Sequence, residues 1–417
     1  MKTFKIFSFV AAAALVFGAA ACNEIDGPSK KDASKNLVIN LSTGTSVVTK
    51  AGEVPEFDDE RIIRDAQIYI FKASDKSLYR KIDTVFTTPG AGTARRLEEN
   101  INANEEYIVA AFVNGLSSDP KCKFDGFQNL NQLRSQAIYL ASSMPGSNGQ
   151  FAMYGETGGT EGTSSTISVG VNQTATANIV VRRFVSRVRL MKVQNKLPEA
   201  YGQLTINKVF LINCYSKWNF DGTGSIAGQF SWAGRTDGNS TSSGNIIASA
   251  SDCSTTTDGV RYPYGAQTYK EYSGVVIDNY WAKYNAQETN PDAASTYIFD
   301  QNNGDRFYVF PNETGKDDVT GTSAQSPAAS FNGPMPLSTP APTRLVVVAS
   351  FNNNGAVATY YYPVTIPNME RNKSYDVTLV ISGFGSDDPN REPIKGKIET
   401  IINVMPWGGQ TEISQEI

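Results

Sequence analysis

A chain of 417 residues is long enough for two domains with separate cores, and its formal net charge of −4 leaves no basic surplus to neutralise phosphates, so a nucleic-acid partner is excluded. It contains no histidine, which removes histidine-based triads, histidine general bases and histidine-ligated metals together. Only 19% of its residues are charged while Gly, Ser, Thr and Asn are abundant, a balance that suits an all-β, loop-rich, exported protein.

The chain opens with a targeting segment, residues 1–21. Lys2 and Lys5 precede an apolar run from Phe7 to Ala21 that is too short to span a bilayer and stay there. The run Leu15-Val16-Phe17-Gly18-Ala19-Ala20-Ala21-Cys22 has the form of a lipobox, with small residues ending at a cysteine and a polar tether, Asn23 to Lys35, behind it. The plainer alternative is a secretory peptide cut after Ala21, with Cys22 incidental. Of the four cysteines, lipid on Cys22 leaves Cys122, Cys214 and Cys253, enough for one disulfide and one thiol and spaced like no metal knuckle. No metal or cofactor is expected.

Asn36 to Leu41 reads as a short strand. A polar stretch follows, then Lys50-Ala51-Gly52-Glu53, an acidic loop at Asp58, Asp59 and Glu60, and a second strand over Asp65 to Phe71. Tyr107 to Val113 is a buried strand that ends in the turn Asn114-Gly115. Gln128 to Ala141 is the one helical stretch, with Leu130, Leu133, Ala137 and Leu140 on a common face and Asn129 or Asn131 as its cap. Thr166 to Val171 and Thr174 to Val181 are expected to pair as a hairpin. Over Arg182 to Leu190, Phe184, Val188 and Leu190 alternate with Val185, Arg187 and Arg189, which predicts a strand with one apolar face and one solvated basic face.

The domain boundary is placed here, giving an N-terminal domain over 51–182 and a C-terminal domain over 183–395. Leu204 to Tyr215 is a strong alternating strand. From Ser216 to Asn303 the chain is rich in Gly, Ser, Thr and Asn and carries Trp218, Phe220, Phe230, Trp232 and Trp281. Such aromatics either stack on sugars or pin a long loop to its own domain, and the second role is expected. Regular strands resume at Arg306 to Pro311, Thr343 to Phe351 and Val357 to Ile366.

The chain ends on two strands joined by a polar turn. In Ser374 to Ser382 the apolar Tyr375, Val377, Leu379 and Ile381 share one face. In Lys397 to Met405, Ile398, Ile402 and Val404 share one face and Glu399, Ile401, Asn403 and Met405 the other. Pro406 cannot donate to a ladder, so this last strand ends there or lies at an edge, and an apolar edge strand is a template for another chain. A tail with Ile413 and Ile417 extends its apolar ridge, making residues 396–417 a detachable C-terminal strand.

Arg371-Asn372, Tyr375-Asp376, the alternating strand, Gly383-x-Gly385, Asp388-Pro389, Pro393, the last strand and Trp407 together resemble the C-terminal end of fimbrillins, the subunits of lipoprotein-derived pili of Bacteroidales. The resemblance implies two tandem transthyretin-like, Greek-key β-sandwich domains with one short helix in the N-terminal domain, and no enzymatic activity. It implies export as a lipoprotein to the outer membrane, with 22–50 as a lipidated propeptide that carries a removable first strand. A trypsin-like protease then cuts between Lys50 and Ala51, and subunits polymerise head to tail as the C-terminal strand (Ile398, Ile402, Val404, Ile413, Ile417) enters the groove of a neighbour.

Other fimbrial subunits, and host or bacterial surface ligands, are the implied partners of a stalk or tip subunit. Two other classes remain open: a monomeric surface lipoprotein that binds glycans through its aromatics and keeps Lys50 uncut, and an exported hydrolase working with carboxylates, for which the chain carries no motif. If Cys22 is lipidated, Cys22→Ala abolishes incorporation of a fatty-acid analogue in labelled cells; undiminished labelling identifies a plain secretory signal.

Overall fold

The computed structural model describes residues 36–43, 60, 62–87, 94–116, 123–139, 151–158, 164–212, 214–215, 217–220, 232–233, 256–257, 260–261, 269–300, 306–312, 342–366, 368–387, 389, 393, 396–406 and 413–416. The first half of the chain supplies β1 (Leu37–Ser42), β2 (Asp65–Lys72), β3 (Leu78–Val85), β4 (Ala94–Glu99), β5 (Glu105–Val113), helix α1 (Leu130–Arg134), β6 (Ala137–Tyr139), β7 (Met153–Glu156), β8 (Ile167–Val169), β9 (Ala175–Val180) and β10 (Arg182–Arg183). A three-stranded sheet, β4-β1-β9, faces a larger one in the order β10-β7-β5-β2-β3, with β8 beside β5.

Side-chain alternation explains that layering. Ala66, Ile68 and Ile70 of β2 and Tyr107, Val109, Ala111 and Val113 of β5 point towards Leu37, Ile39, Leu41, Ala177 and Ile179 of the smaller sheet. The intervening residues Tyr69, Phe71, Ile108, Ala110 and Phe112 belong to a second cluster on the opposite face. Both faces of β2 and β5 are therefore covered, which is why these strands read as continuous apolar runs.

The second half supplies β11 (Ser186–Asn195), β12 (Leu204–Ile212), β13 (Cys214–Tyr215), β14 (Lys217–Asn219), β15 (Trp232–Ala233), β16 (Thr256–Thr257), β17 (Val260–Arg261) and β18 (Tyr269–Ile277). Two short helices follow, α2 (Tyr280–Asn285) and α3 (Pro291–Ala294). The remaining strands are β19 (Thr296–Ile298), β20 (Arg306–Val309), β21 (Arg344–Asn353), β22 (Ala356–Thr365), β23 (Lys373–Ile381), β24 (Ile398–Pro406) and β25 (Ile413–Glu416). One sheet runs β19-β11-β23-β24-β25 with β20 also on β11, and the other runs β18-β12-β21-β22. The β21–β22 hairpin turns on Asn354 and Gly355, whose φ values of 54° and 88° suit a two-residue turn. The protein is thus almost wholly β, two sandwiches in tandem.

Several sequence expectations need correction. The helix expected over Gln128 to Ala141 is five residues long, capped by Asn129, whose Oδ1 accepts the Gln132 amide at 3.0 Å. It stops because residues 137–139 pair with β14 from the second half. Two further helices stand in what read as loop, begun by Asn279 and Asn290 side-chain caps. The hairpin expected across 166–181 does not form. Its turn is present, but β8 pairs with β5 and β9 with β1, so the turn crosses from one sheet to the other.

The aromatics after Ser216 also act differently. Trp218 and Phe220 are buried, but Phe220 reaches across to the first sandwich. Its ring lies 5.2 Å from Phe112 and stacked on it, 4.6 Å from Phe124 and 5.0 Å from Tyr154. The loop is pinned to both domains, because Trp218 stacks on Phe310 of its own at 6.1 Å. Phe230 lies outside the described residues. Phe220→Ala removes a fully buried ring at this seam and lowers stability by about 3–5 kcal/mol, read as a lower midpoint in equilibrium denaturation. A shift of a few tenths would mean that the ring stack does not hold the domains together.

Candidate functional site

β1 is the centre of the smaller sheet. It runs antiparallel to β4, from Leu37 opposite Glu99 to Ser42 opposite Ala94, and parallel to β9, from Leu37 beside Ala175 to Ser42 beside Val180. Among the described residues β4 and β9 have no other strand partner, so every ladder bond of either passes through β1. Leu37, Ile39 and Leu41 are fully buried, and burial of each is worth about 1.5–3 kcal/mol. Side chains finish the seat. Asn36 Nδ2 donates to the Ile101 carbonyl at 2.8 Å and Asn36 Oδ1 accepts the Ile101 amide at 2.9 Å, while Asn40 Nδ2 donates to Asn178 Oδ1 at 2.9 Å.

The walls of this seat are attached to the larger sheet independently of β1. Arg95 of β4 donates from Nε to the Ile63 carbonyl at 2.9 Å and lies 5.0 Å over the Phe86 ring; burial holds its pKa below the ordinary arginine value. Arg80 of β3 reaches Glu99 Oε2 at 3.3 Å and the Asn100 carbonyl at 2.9 Å. β9 continues directly into β10, which pairs with β7. At Gly155 of β7 a Cβ would stand 2.3 Å from the Val180 carbonyl oxygen, so only glycine lets β9 close down on β7 there. Removal of β1 would leave a slot with an unpaired strand edge on each side and an apolar floor.

Just beyond the expected cleavage point the chain is gripped by the second domain. Glu60 is 1% exposed; its Oε2 pairs with Arg187 Nη1 at 2.8 Å and its Oε1 accepts the Tyr308 hydroxyl at 2.7 Å. Its carbonyl accepts Arg183 Nε at 2.9 Å and Nη2 at 2.7 Å, and Arg306 Nη1 stands 3.8 Å from Oε1. Burial, set partly against the Glu60 charge, pulls the Arg187 pKa down, and burial next to that charge pushes the Tyr308 hydroxyl up.

The basic face expected to be solvated over 182–190 is therefore buried: Arg183, Arg187 and Arg189 are 1%, 0% and 3% exposed. Arg189 closes a forked pair with Asp376, Nε to Oδ1 at 2.7 Å and Nη2 to Oδ2.

The residues of the Arg371-Asn372/Tyr375-Asp376 pattern converge on the same seam. Arg371 donates to the carbonyls of Arg183 and Arg182 at 3.1 and 3.0 Å and lies 5.1 Å over the Phe184 ring. Asn372, at φ 56°, accepts Arg183 Nη1 at 3.1 Å. The Tyr375 hydroxyl donates to the Asn368 carbonyl at 3.0 Å and accepts the Glu370 amide at 2.7 Å. The pattern that carries the family resemblance is a docking device between strands. Sequence reasoning missed Glu60 because acidic loop residues are usually solvated; the only available signal was the run of arginines at 182–189 that needed partners.

Of the expected donor residues, Ile398, Ile402 and Val404 line the inner face of β24, with Ile402 buried and the other two half-buried against the second domain's core. β24 is paired with β23 from Lys373 opposite Pro406 to Ile381 opposite Ile398. Ile413 is opposite Val404 in the β24–β25 pairing. Cys22, Lys50, Ala51 and Ile417 lie outside the described residues, as do Cys122 and Cys253; Cys214 is a buried thiol. Among the described residues no group of three His, Cys, Asp or Glu side chains could hold a metal, and no helix is long and apolar enough to cross a membrane.

No family model matches the chain, and no curated protein matches it in sequence. Solved structures are similar to it in fold. A candidate cell adhesion protein from Bacteroides eggerthii aligns with a TM-score of 0.53 at 16% identity, over 90% of this chain and 96% of that one. Another, from Parabacteroides distasonis, aligns with a TM-score of 0.52 at 11% identity, over 91% and 99%. A fimbrilin from Porphyromonas gingivalis aligns with a TM-score of 0.48 at 12% identity, over 91% and 99%. At these identities the first two likenesses speak to a common fold.

Glu60→Gln keeps a partner for Tyr308 but removes the carboxylate from Arg187. Breaking a buried pair in this way costs about 3–5 kcal/mol, measured as a lower denaturation midpoint, with faster proteolysis at the seam. An unchanged midpoint would show that the second domain does not depend on this grip.

Proposed function

We propose that this protein is a structural subunit of a surface pilus, assembled by strand exchange and serving adhesion. The observation that carries the reading is that β1 alone pairs both β4 and β9. A strand in that position, near the start of the chain and followed by a basic residue, Lys50, is a removable placeholder. Cleavage between Lys50 and Ala51 by a trypsin-like protease releases it. The rest stays anchored, because Glu60, ten residues on, is held by Arg183, Arg187 and Tyr308. Lipid on Cys22 ties the precursor to the outer membrane until the cut frees the mature subunit for the cell-surface pilus.

The slot left behind has two unsatisfied edges and sockets for aliphatic side chains. The C-terminal segment, with Ile398, Ile402, Val404, Ile413 and Ile417, comes from a neighbouring subunit to fill it. Each buried Ile or Val contributes about 1.5–3 kcal/mol, offset in part by the ordering of the segment. Donation from one copy into the next is heterologous and does not close, so it yields a filament. The motif resemblance and the common fold with two candidate cell adhesion proteins support the reading. Possession of a donor segment favours a stalk or tip position over an anchor.

One observation favours the alternative of a monomeric glycan-binding lipoprotein. Trp281 and Tyr284 of α2 are 43% and 58% exposed, next to Tyr280. In a pilus these aromatics serve a tip subunit's ligand contact; in the alternative they are the whole function and Lys50 stays uncut. N-terminal sequencing of the surface protein separates the two, since the pilus subunit starts at Ala51. A synthetic peptide of residues 396–417 is expected to bind the cut protein, leave the uncut protein alone and block filament growth. A cut protein that neither binds the peptide nor polymerises would sink the pilus reading.

A further inference from the structure

A cut after Lys50 has to spare the basic residues that follow. Between Lys50 and β2 the chain also carries Arg61 and Arg64, and a trypsin-like enzyme selects chiefly on one basic side chain. Arg64 is exposed, stands one residue ahead of β2 and belongs to no strand. By side chain and position it is a substrate. Its backbone, however, is withheld.

The carbonyls around it are taken in an unbroken row. The Ile62 carbonyl accepts Asn114 Nδ2 at 2.8 Å and the Ile63 carbonyl accepts Arg95 Nε at 2.9 Å. The Arg64 carbonyl accepts the Phe86 amide at 2.8 Å, and the Asp65 carbonyl accepts the Asn114 amide at 3.1 Å. The Arg64 amide donates to Asn114 Oδ1 at 2.9 Å. Ile63 and Asp65, on either side of Arg64, are fully buried. Asn114 thus supplies three of these five bonds, and its Nδ2 also reaches the Phe151 carbonyl at 2.8 Å. It is 1% exposed and holds φ at 63° in the turn after β5, a conformation asparagine adopts more readily than most residues with a side chain.

We propose that Asn114 is the residue that withholds Arg64 from the processing protease and so keeps the cut at Lys50. A protease of this class takes its substrate as an extended strand. It pairs the amide of the residue it cuts after and the carbonyl two residues earlier, and draws the carbonyl of the scissile bond into an oxyanion hole. For a cut after Arg64 those groups are the Arg64 amide, the Ile62 carbonyl and the Arg64 carbonyl. Asn114 occupies the first two and the Phe86 amide the third. Presenting this bond requires Ile62 to Asp65 to leave the fold together, with Ile63 drawn out of the first sandwich's core.

The position of the cut matters to the seam between the domains. A chain that begins at Ala51 keeps Glu60 against Arg183, Arg187 and Tyr308. A chain that begins at Asp65 has lost Glu60, and Arg187 stays buried without its carboxylate. The role assigned to Asn114 rests on the proposed processing after Lys50 and adds what keeps that processing from running on to Arg64.

The test digests the full chain briefly with trypsin and reads the new N-termini by mass spectrometry. Three chains are compared: unsubstituted, Asn114→Gly and Val109→Ala. Glycine takes the positive φ without strain and removes only the side-chain bonds. Val109→Ala weakens the same sandwich at a buried position without touching the bonds of 62–65. Each digestion is run in urea at the same distance from that chain's own denaturation midpoint, so that global unfolding contributes equally. The product beginning at Asp65 is expected to form on the order of ten-fold faster from Asn114→Gly than from the other two chains, because only there is the open segment more populated. The product beginning at Ala51 is expected at equal rates from all three. Equal rates at Arg64 in Asn114→Gly and Val109→Ala would mean that global unfolding governs the bond; an Asn114→Gly chain left uncut there would mean that the remaining bonds suffice. Either overturns the proposal. Hydrogen exchange in the unsubstituted chain tests the pin without any substitution: the Arg64 amide is expected to exchange as slowly as the amides of β2, and fast exchange overturns the proposal too. Absence of any product beginning at Ala51 overturns processing after Lys50, a result read separately from the Asp65 signal.

Discussion

Backbone pairing in the smaller sheet of the first sandwich is the constraint on which the rest of the molecule turns. An N–H or C=O taken from water has to be paired, and in this sheet both outer strands meet that demand through one central strand. A six-residue segment thus supports β4 and β9 at once, and seals the core beneath with Leu37, Ile39 and Leu41. Losing an edge strand exposes one row of polar groups; losing this one exposes two. The first sandwich is therefore complete only with a strand in that place, and chemistry requires of the occupant only alternation, apolar pegs and a free backbone.

The two outer strands are also held by contacts that do not involve the central one. The contacts of Arg80 and Arg95, the close approach allowed by Gly155 and the direct passage of β9 into β10 attach both walls to the larger sheet. That larger sheet is in turn covered on its far side by Phe124, Phe184 and Phe220, the last contributed by the second half of the chain. The two sandwiches do not simply follow each other along the chain. They share an aromatic layer and a strand pair, β6 with β14.

The polar part of the seam has a different logic. Buried charge is costly unless paired and hydrogen-bonded, and Arg183, Arg187 and Arg189 satisfy that condition through Glu60, Asn372 and Asp376. These partners lie more than a hundred residues away in sequence from the arginines, and on opposite sides of them. The arginine strand consequently joins the segment before β2 to the strand that precedes β24. The segment just before β2 and the strand that leads into β24 meet at one buried cluster.

Much of this was legible along the chain. Short apolar runs located β1, β2, β5 and β21, alternation located β12, β23 and β24, and it assigned Ile398, Ile402 and Val404 to one face, because a strand's two-residue period is a local property. The absence of histidine and the C-terminal pattern were equally local. What the chain alone left undecided was who pairs with whom. The turn at 170–173 was read correctly as a turn and wrongly as a hairpin, since β8 pairs with β5 in one sheet and β9 with β1 in the other. The helix expected to Ala141 gave way after Arg134 because Lys217 to Asn219 offers a strand partner to 137–139. The arginines read as solvated because their acidic partner stands in a loop whose burial depends on both domains. Strand period, turn chemistry and composition come from neighbours in sequence, and those the sequence determined. Pairing, burial of charge and the central place of β1 come from neighbours in space, and those only the tertiary structure decided.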